Sequence, residues 1–279
     1  VDDFAAGLDA ALAAAERVRG VVEARPAVND PGTPGPRPAD AGMELCQVTL
    51  RYADGDAPAV ETLTACFETG TWSYVVGASG SGKSTLAVQL VRGRDPEAGT
   101  IRLGGAELPG MPLDELRGRV GLVSQRPTLL SGTIADNLRL AVPDADDDRL
   151  RQVLVTTALE DWVDGLPQGP ATQVRERGAS VSGGQLRRLA LARALLAEPE
   201  VLVLDEALSE LDAETAALVR SRLRDQRPEL TVIEITHRAD LVPDEAPVVV
   251  LDRGRIVATG PAGELRAAGG PFTRLEARS

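Results

Sequence analysis

Gly77-Ala78-Ser79-Gly80-Ser81-Gly82-Lys83-Ser84 fits G-x-x-x-x-G-K-[ST], a pattern in which glycines let successive backbone N–H groups turn inward around a phosphate chain. The lysine of such a loop reaches the terminal phosphates, and the hydroxyl that follows binds Mg²⁺. Lys83 is the only lysine in a chain whose Lys and Arg together number 30. Arginine supplies every other basic side chain, so lysine stands where a compact ammonium on a flexible stem is needed in place of a planar fork. The flanks agree: Trp72-Ser73-Tyr74-Val75-Val76 reads as a strand entering the loop, and residues 84–92 read as the helix leaving it.

With 279 residues and 43% hydrophobic content, the chain can bury a substantial core, as one large domain or two small ones. The net charge of −12 argues against nonspecific binding to nucleic acid or to an anionic membrane surface, since both need a basic face. No nucleic-acid partner is expected. No apolar run reaches the length of a membrane span and no signal peptide opens the chain, so it reads as soluble and cytosolic. Cys46 and Cys66 fall in separate strand-like segments without metal-ligand spacing, and read as small buried hydrophobes in a reducing compartment.

Phe4, Leu8, Leu12, Ala15, Val18 and Val22 recur near helical spacing, which predicts an amphipathic helix within 1–28 that needs a partner surface. Alternating proline and glycine make 29–42 a linker. From Met43 the texture changes to short strands, 44–51 and 65–68, which predict a small β region beside the loop. Residues 133–197 are helix-like, most clearly at 146–159 and 186–196. Beyond them, Val201–Leu204, Thr231–Ile235 and Val248–Leu251 are apolar runs that suit strands buried on both faces of a parallel sheet.

Asp205 and Glu206 end the first of those runs and should emerge at the carboxyl edge of the sheet, where open α/β sheets bind ligands. Asp205 then suits the Mg²⁺ shell, and Glu206 suits the orientation or deprotonation of water. By itself such a pair is an ordinary solvated strand end; the phosphate loop gives it meaning. Ser182-Gly183-Gly184-Gln185 opens a helix, with Ser182 able to cap it and the glycines leaving its first amides bare for a phosphate. His237, the only histidine, follows the strand 231–236 and fits a γ-phosphate contact. Gln125 ends a short strand and can reach Mg²⁺ or the attacking water. Tyr52 can stack on a base or simply pack on a strand surface.

In this order the motifs resemble the nucleotide-binding domain of ABC transporters: Tyr52, the GASGSGKS loop, Gln125, Val181-Ser182-Gly183-Gly184-Gln185, Val201–Glu206, Ser209-Glu210-Leu211-Asp212 and His237. The resemblance covers Met43 to about Leu275, and Gln125–Asn137 and Thr172–Gly178 look like the exporter branch. It implies an α/β fold with a P-loop NTPase core and parallel sheet, a small antiparallel β subdomain and a helical subdomain at about 126–197, within a nucleotide-binding domain of 43–279. The implied cofactors are ATP and Mg²⁺. The nucleotide would touch Tyr52, the loop from Gly77 through Ser84, Thr85, Ser182–Gln185 and Asp212. The metal would touch Ser84, Gln125 and Asp205, while Lys83, Gln125, Glu206 and His237 would carry the hydrolysis.

Members of this family pair head to tail around two ATP, which explains two phosphate-binding elements in one chain. The implied partners are a second nucleotide-binding domain, of the same or a homologous chain, and a transmembrane domain at the cytoplasmic face of the cell membrane. The segment 1–28 then looks like the end of the last transmembrane helix. Three positions depart from the pattern: Val181 stands for leucine, Arg175 for glycine, and Glu210 for alanine, which adds charge near the dimer seam. The main expectation is a motor domain driving export. The alternatives are a non-transport ABC protein, which predicts a coiled-coil insertion or a second nucleotide domain, and a slowly hydrolysing regulatory half of a heterodimeric transporter.

Overall fold

The computed structural model describes residues 14–20, 22, 26–52, 57–174 and 181–278. Strands β1 (Met43–Leu50) and β2 (Val60–Phe67) pair antiparallel, and β3 (Trp72–Gly77) then enters the phosphate loop, with α1 (Lys83–Leu90) leaving it. The chain returns through β4 (Ala98–Leu103) and β5 (Ala106–Glu107) to complete a four-stranded sheet in the order β2-β1-β4-β5. Next, α2 (Leu113–Arg119) and β6 (Val120–Val123) lead into a mostly helical excursion. It comprises β7 (Gly132–Thr133), α3 (Ile134–Arg139), α4 (Asp147–Thr156), α5 (Glu160–Asp164), β8 (Gln173–Val174) and α6 (Gly183–Leu196). The rest is β9 (Val201–Asp205), α7 (Ala213–Gln226), β10 (Thr231–Thr236), β11 (Pro247–Asp252), β12 (Arg255–Pro261), α8 (Ala262–Ala268) and α9 (Pro271–Glu276).

The second sheet runs β12-β11-β3-β10-β9-β6, parallel throughout except for the β11-β12 edge. This order places the site. The carboxyl ends of four adjacent strands, β3, β10, β9 and β6, lead into the phosphate loop, His237, Glu206 and Gln125 in turn. Strand alternation explains why the runs are apolar on both sides. Val201, Val203, Ile233 and Ile235 join the core beneath α1, while Leu202, Leu204 and Val232 join the core beneath α6 and α7.

Three sequence expectations change. The helix expected over 146–159 runs Asp147–Thr156 and stops short of 159, because Ala158 adopts a left-handed φ of 54°; a separate short helix, Glu160–Asp164, follows. The two-residue strands β7 and β8 pair inside the helical region, being too short to show a periodicity. Cys46 is half-buried and Cys66 exposed, so the expected buried hydrophobes lie on the antiparallel sheet facing outward.

Residues 29–42 form neither helix nor strand but are bonded to the domain. Gly35 N–H donates to Gly110 O, Ala39 N–H to Gly104 O, and Asp30 Oδ1 accepts from Leu113 N–H at the start of α2. Residues 14–20 are helical and exposed; Phe4, Leu8 and Leu12 lie outside the described residues. No helix among the described residues is long and apolar enough to cross a membrane.

Candidate nucleotide site

The loop at the end of β3 needs its glycines. A Cβ on Gly77 would lie 2.4 Å from Leu251 O and 2.5 Å from Ser81 Oγ, and Gly82 holds φ 101° as the N-cap of α1. Lys83, 6% exposed, donates from Nζ to Gly77 O at 2.8 Å and Ala78 O at 3.0 Å, so its ammonium is drawn back over the start of its own loop. Burial lowers its pKa against the opposing pull of Glu206 and Asp205.

Glu206 is the junction of the site. Its Oε1 lies 3.9 Å from Lys83 Nζ, and its Oε2 accepts from Gln125 Nε2 at 2.8 Å and lies 3.5 Å from His237 Nδ1. Its backbone is left-handed at φ 54°, costing a non-glycine residue roughly 1–2 kcal/mol. The bond from Glu206 N–H to Ile235 O, 2.9 Å, holds that turn and aims the side chain across the end of β10.

Asp205 is buried; burial first, with the neighbouring Glu206 charge, raises its pKa against the Ser84 hydroxyl and Lys83, which lower it. One of its oxygens, Oδ1, is buried with no hydrogen-bond partner. A lone buried carboxylate oxygen beside a hydroxyl suits Mg²⁺, which takes one or two carboxylates plus substrate phosphates in preference to an all-protein cage. Consistent with this, no group of three or more His, Cys, Asp or Glu among the described residues is arranged to hold a metal.

Tyr52 OH lies 3.1 Å from Thr85 Oγ1, and the Arg94 guanidinium sits 5.7 Å from the Tyr52 ring centroid. The ring is 51% exposed, so a face remains open beside α1.

Ser182 and Gln185 satisfy each other: Ser182 Oγ accepts from Gln185 N–H at 3.2 Å, and Gln185 Oε1 from Ser182 N–H at 2.8 Å. This capping box leaves the Gly183 and Gly184 amides as the unclaimed donors at the start of α6. Among the described residues no hydrogen bond or ion pair joins Ser182–Gln185 to the phosphate loop. Asp212 caps α7, its Oδ1 accepting from Thr215 N–H at 2.8 Å. Residues 175–178 lie outside the described residues, so the expectation for Arg175 has no structural counterpart. Two features escaped the sequence reading: Thr236, beside His237, shares a 2.9 Å hydrogen bond with Ser209, and Arg187 on α6 pairs with Glu210 at 2.6 Å.

The family model described as "ABC transporter" matches residues 60–209, more than half of the chain. The chain belongs to the ABC transporter family. Among curated relatives, a β-(1→2)glucan export ATP-binding/permease protein, NdvA of Nitrobacter winogradskyi, is 38% identical over 91% of the chain and 42% of its own length. A mycobactin import ATP-binding/permease protein, IrtA of Mycobacterium tuberculosis, is 41% identical over 85% of the chain and 27% of its own length. An ATP-dependent lipid A-core flippase of Thiobacillus denitrificans is 35% identical over 97% and 47%. The structure of a bacterial Atm1-family ABC exporter with ATP bound matches with a TM-score of 0.88 and 32% identity, over 95% of the chain and 46% of that protein. The chain thus spans less than half the length of these relatives. It is an ATPase domain of the ABC transporter family, and its α/β architecture is that of the P-loop NTPases.

Proposed function

We propose that this ABC ATPase domain binds ATP with Mg²⁺, pairs head to tail with a second nucleotide-binding domain around two ATP, and hydrolyses them to drive export through a membrane domain. The supporting observation is the division of the site. Lys83, Glu206, Gln125 and His237 converge on one edge of the sheet, whereas among the described residues no hydrogen bond or ion pair joins the helix start bearing the Gly183 and Gly184 amides to Lys83, Glu206 or Gln125. A helix N-terminus with free donors attracts phosphate, and a second copy can bring one to the γ-phosphate.

In this reading Lys83 moves from the loop carbonyls onto the β and γ phosphates, and Tyr52 stacks on the base. Ser84 and Asp205 hold Mg²⁺ with help from Gln125, and the ion when bound neutralises charge on the phosphates. Glu206 orients and deprotonates water, Gln125 fixes one of its oxygens, and His237 contacts the γ-phosphate. Asp212 acts on the nucleotide only from the dimer seam, since its side chain is engaged as a cap.

The chain divides into an amphipathic segment at 1–28 leading from a membrane domain, the linker 29–42, and the ATPase domain 43–279. A groove of about 560 Å³ lined by Val28, Leu122, Leu140, Ala194 and, on either side of Gln125 in the chain, Ser124 and Pro127 suits the membrane domain at the cytoplasmic face. Import is the second reading, favoured by the 41% identical mycobactin import relative. Size-exclusion chromatography with light scattering tests the pairing: Glu206→Gln with ATP and Mg²⁺ should run as a dimer, and adding Ser182→Arg should return it to monomer. A Glu206→Gln protein that stays monomeric with bound ATP contradicts the head-to-tail homodimer.

A further inference from the structure

We infer that Arg187 and Glu210 form a positioning pair that sets the first turn of α6 relative to the Glu206 site of the same chain, so that each chain's own hydrolytic edge controls the phosphate-binding amides it offers to the other ATP. The inference rests on the head-to-tail reading above.

The pair is a short ion pair, Arg187 Nη2 to Glu210 Oε2 at 2.6 Å, with side chains 17% and 49% exposed. Arg187 Nε is buried and has no hydrogen-bond partner, so the guanidinium takes its orientation from Glu210. That orientation matters to the glycines. A Cβ on Gly183 would lie 3.2 Å from Arg187 Nη1, and one on Gly184 would lie 3.4 Å from Leu211 Cδ2. The two residues whose amides open α6 are therefore each abutted, one by the arginine and the other by the neighbour of Glu210.

The loop that carries Glu210 is tied at its other end to the hydrolytic edge. It starts at Glu206, and Ser209 Oγ shares a 2.9 Å hydrogen bond with Thr236 Oγ1, next to His237. Contacts thus run from His237 and Thr236 through Ser209 and Glu210 to Arg187 and Gly183. A half-exposed ion pair contributes little to global stability, and the rest of α6 is anchored independently by Leu189, Leu191, Leu195 and Leu196 in the core. What the pair can set is the placement of one turn.

The test compares variants of the 279-residue chain in the Glu206→Gln background, measuring the ATP-dependent dimer constant by analytical ultracentrifugation and monomer affinity for a fluorescent ATP analogue. An exposed ion pair shifts a local equilibrium by up to about fivefold. Two copies act in each symmetric dimer, so Glu210→Ala should weaken dimerisation by about 2- to 25-fold while monomer nucleotide affinity changes by less than about twofold. The charge swap Arg187→Glu with Glu210→Arg should recover most of the loss, which a nonspecific packing defect would not. Thermal unfolding of Glu210→Ala should stay within about 2 °C of its parent, confirming an intact fold. An unchanged dimer constant in Glu210→Ala, a swap as weak as the single variants, or a parallel loss of monomer affinity would each overturn the inference. A Glu206→Gln parent that never dimerises fails the head-to-tail reading itself, and this inference with it.

Discussion

Gln125 Nε2 donates to Glu206 Oε2 at 2.8 Å, across the gap between the ends of β6 and β9. The amide fixes one carboxylate oxygen and leaves the other, 3.9 Å from Lys83, toward the phosphate loop. Gln125→Ala should therefore lower kcat by about tenfold with nucleotide affinity nearly unchanged, part of the 10²–10⁴-fold a positioned general base supplies. Single-turnover hydrolysis alongside equilibrium ATP binding checks this. Equal losses in both would make Gln125 a nucleotide ligand and remove its role in holding Glu206.

The left-handed backbone at Glu206 sets function against stability. Glu206→Gly removes the strain and should unfold at higher denaturant than Glu206→Ala, by about 1 kcal/mol, while both lose hydrolysis. Urea unfolding of the two variants decides; an alanine variant equal to the glycine one would show the turn to be unstrained.

On the far side of the sheet Glu234, 1% exposed, receives Arg220 at 2.5 Å and Trp72 Nε1 at 2.9 Å, tying α7 to β10 and β3. Removing the carboxylate leaves Arg220 without its partner in a buried setting. Glu234→Ala should destabilise by about 3–5 kcal/mol, and Glu234→Gln by less, because its one amide oxygen can still accept from Trp72 Nε1 and Arg220 Nε, though the contact to Arg220 Nη2 is lost. Chemical denaturation measures both, and a loss below about 1 kcal/mol in Glu234→Ala would show the cluster to be dispensable.

Asp212 is held below the usual carboxylate range chiefly by the Thr215 backbone N–H it caps. Its folded pKa lies below the unfolded one, so the stabilising charge is fully present above about pH 4 and is lost as pH falls through the folded value. Asp212→Asn keeps a capping oxygen without the charge. The Tm difference between wild type and Asp212→Asn should be constant above about pH 4 and should close as the pH falls below it, through the depressed folded value. A pH-independent difference would assign the effect to cap geometry alone.

Much of the sheet was legible because strands buried on both faces are continuous apolar runs, and the phosphate loop, Gln125, the acidic pair and His237 each stand just after one. Their convergence on Glu206 was not legible. It depends on the strand order β3-β10-β9-β6, which pairing decides and local sequence does not. β4 was missed because its partner β1 is distant in the chain, β5 because two residues carry no pattern, and β12 because this edge strand has no buried face to mark it; Cys66 was misplaced because a strand pattern does not tell which face is covered. Ser182 and Gln185 were read as phosphate ligands; their side-chain oxygens accept from each other's backbone N–H, which leaves the Ser182 hydroxyl proton and the Gly183 and Gly184 amides as the donors for a phosphate. Glu210, expected to add charge near the dimer seam, pairs with Arg187, a contact that no local pattern signals.

A composite site makes an arithmetic demand that mixing two inactive chains tests directly. Lys83→Ala removes the only lysine of the phosphate loop, and Ser182→Arg blocks the helix start offered to the partner. Alone, each should be inactive. Mixed in equal amounts, half of the dimers pair one of each, and each such dimer contains one site with an intact Lys83 facing an intact Ser182. Steady-state phosphate release should then return to about a quarter of the wild-type rate. A mixture that remains as inactive as its separate components would contradict the shared site between two copies of this chain.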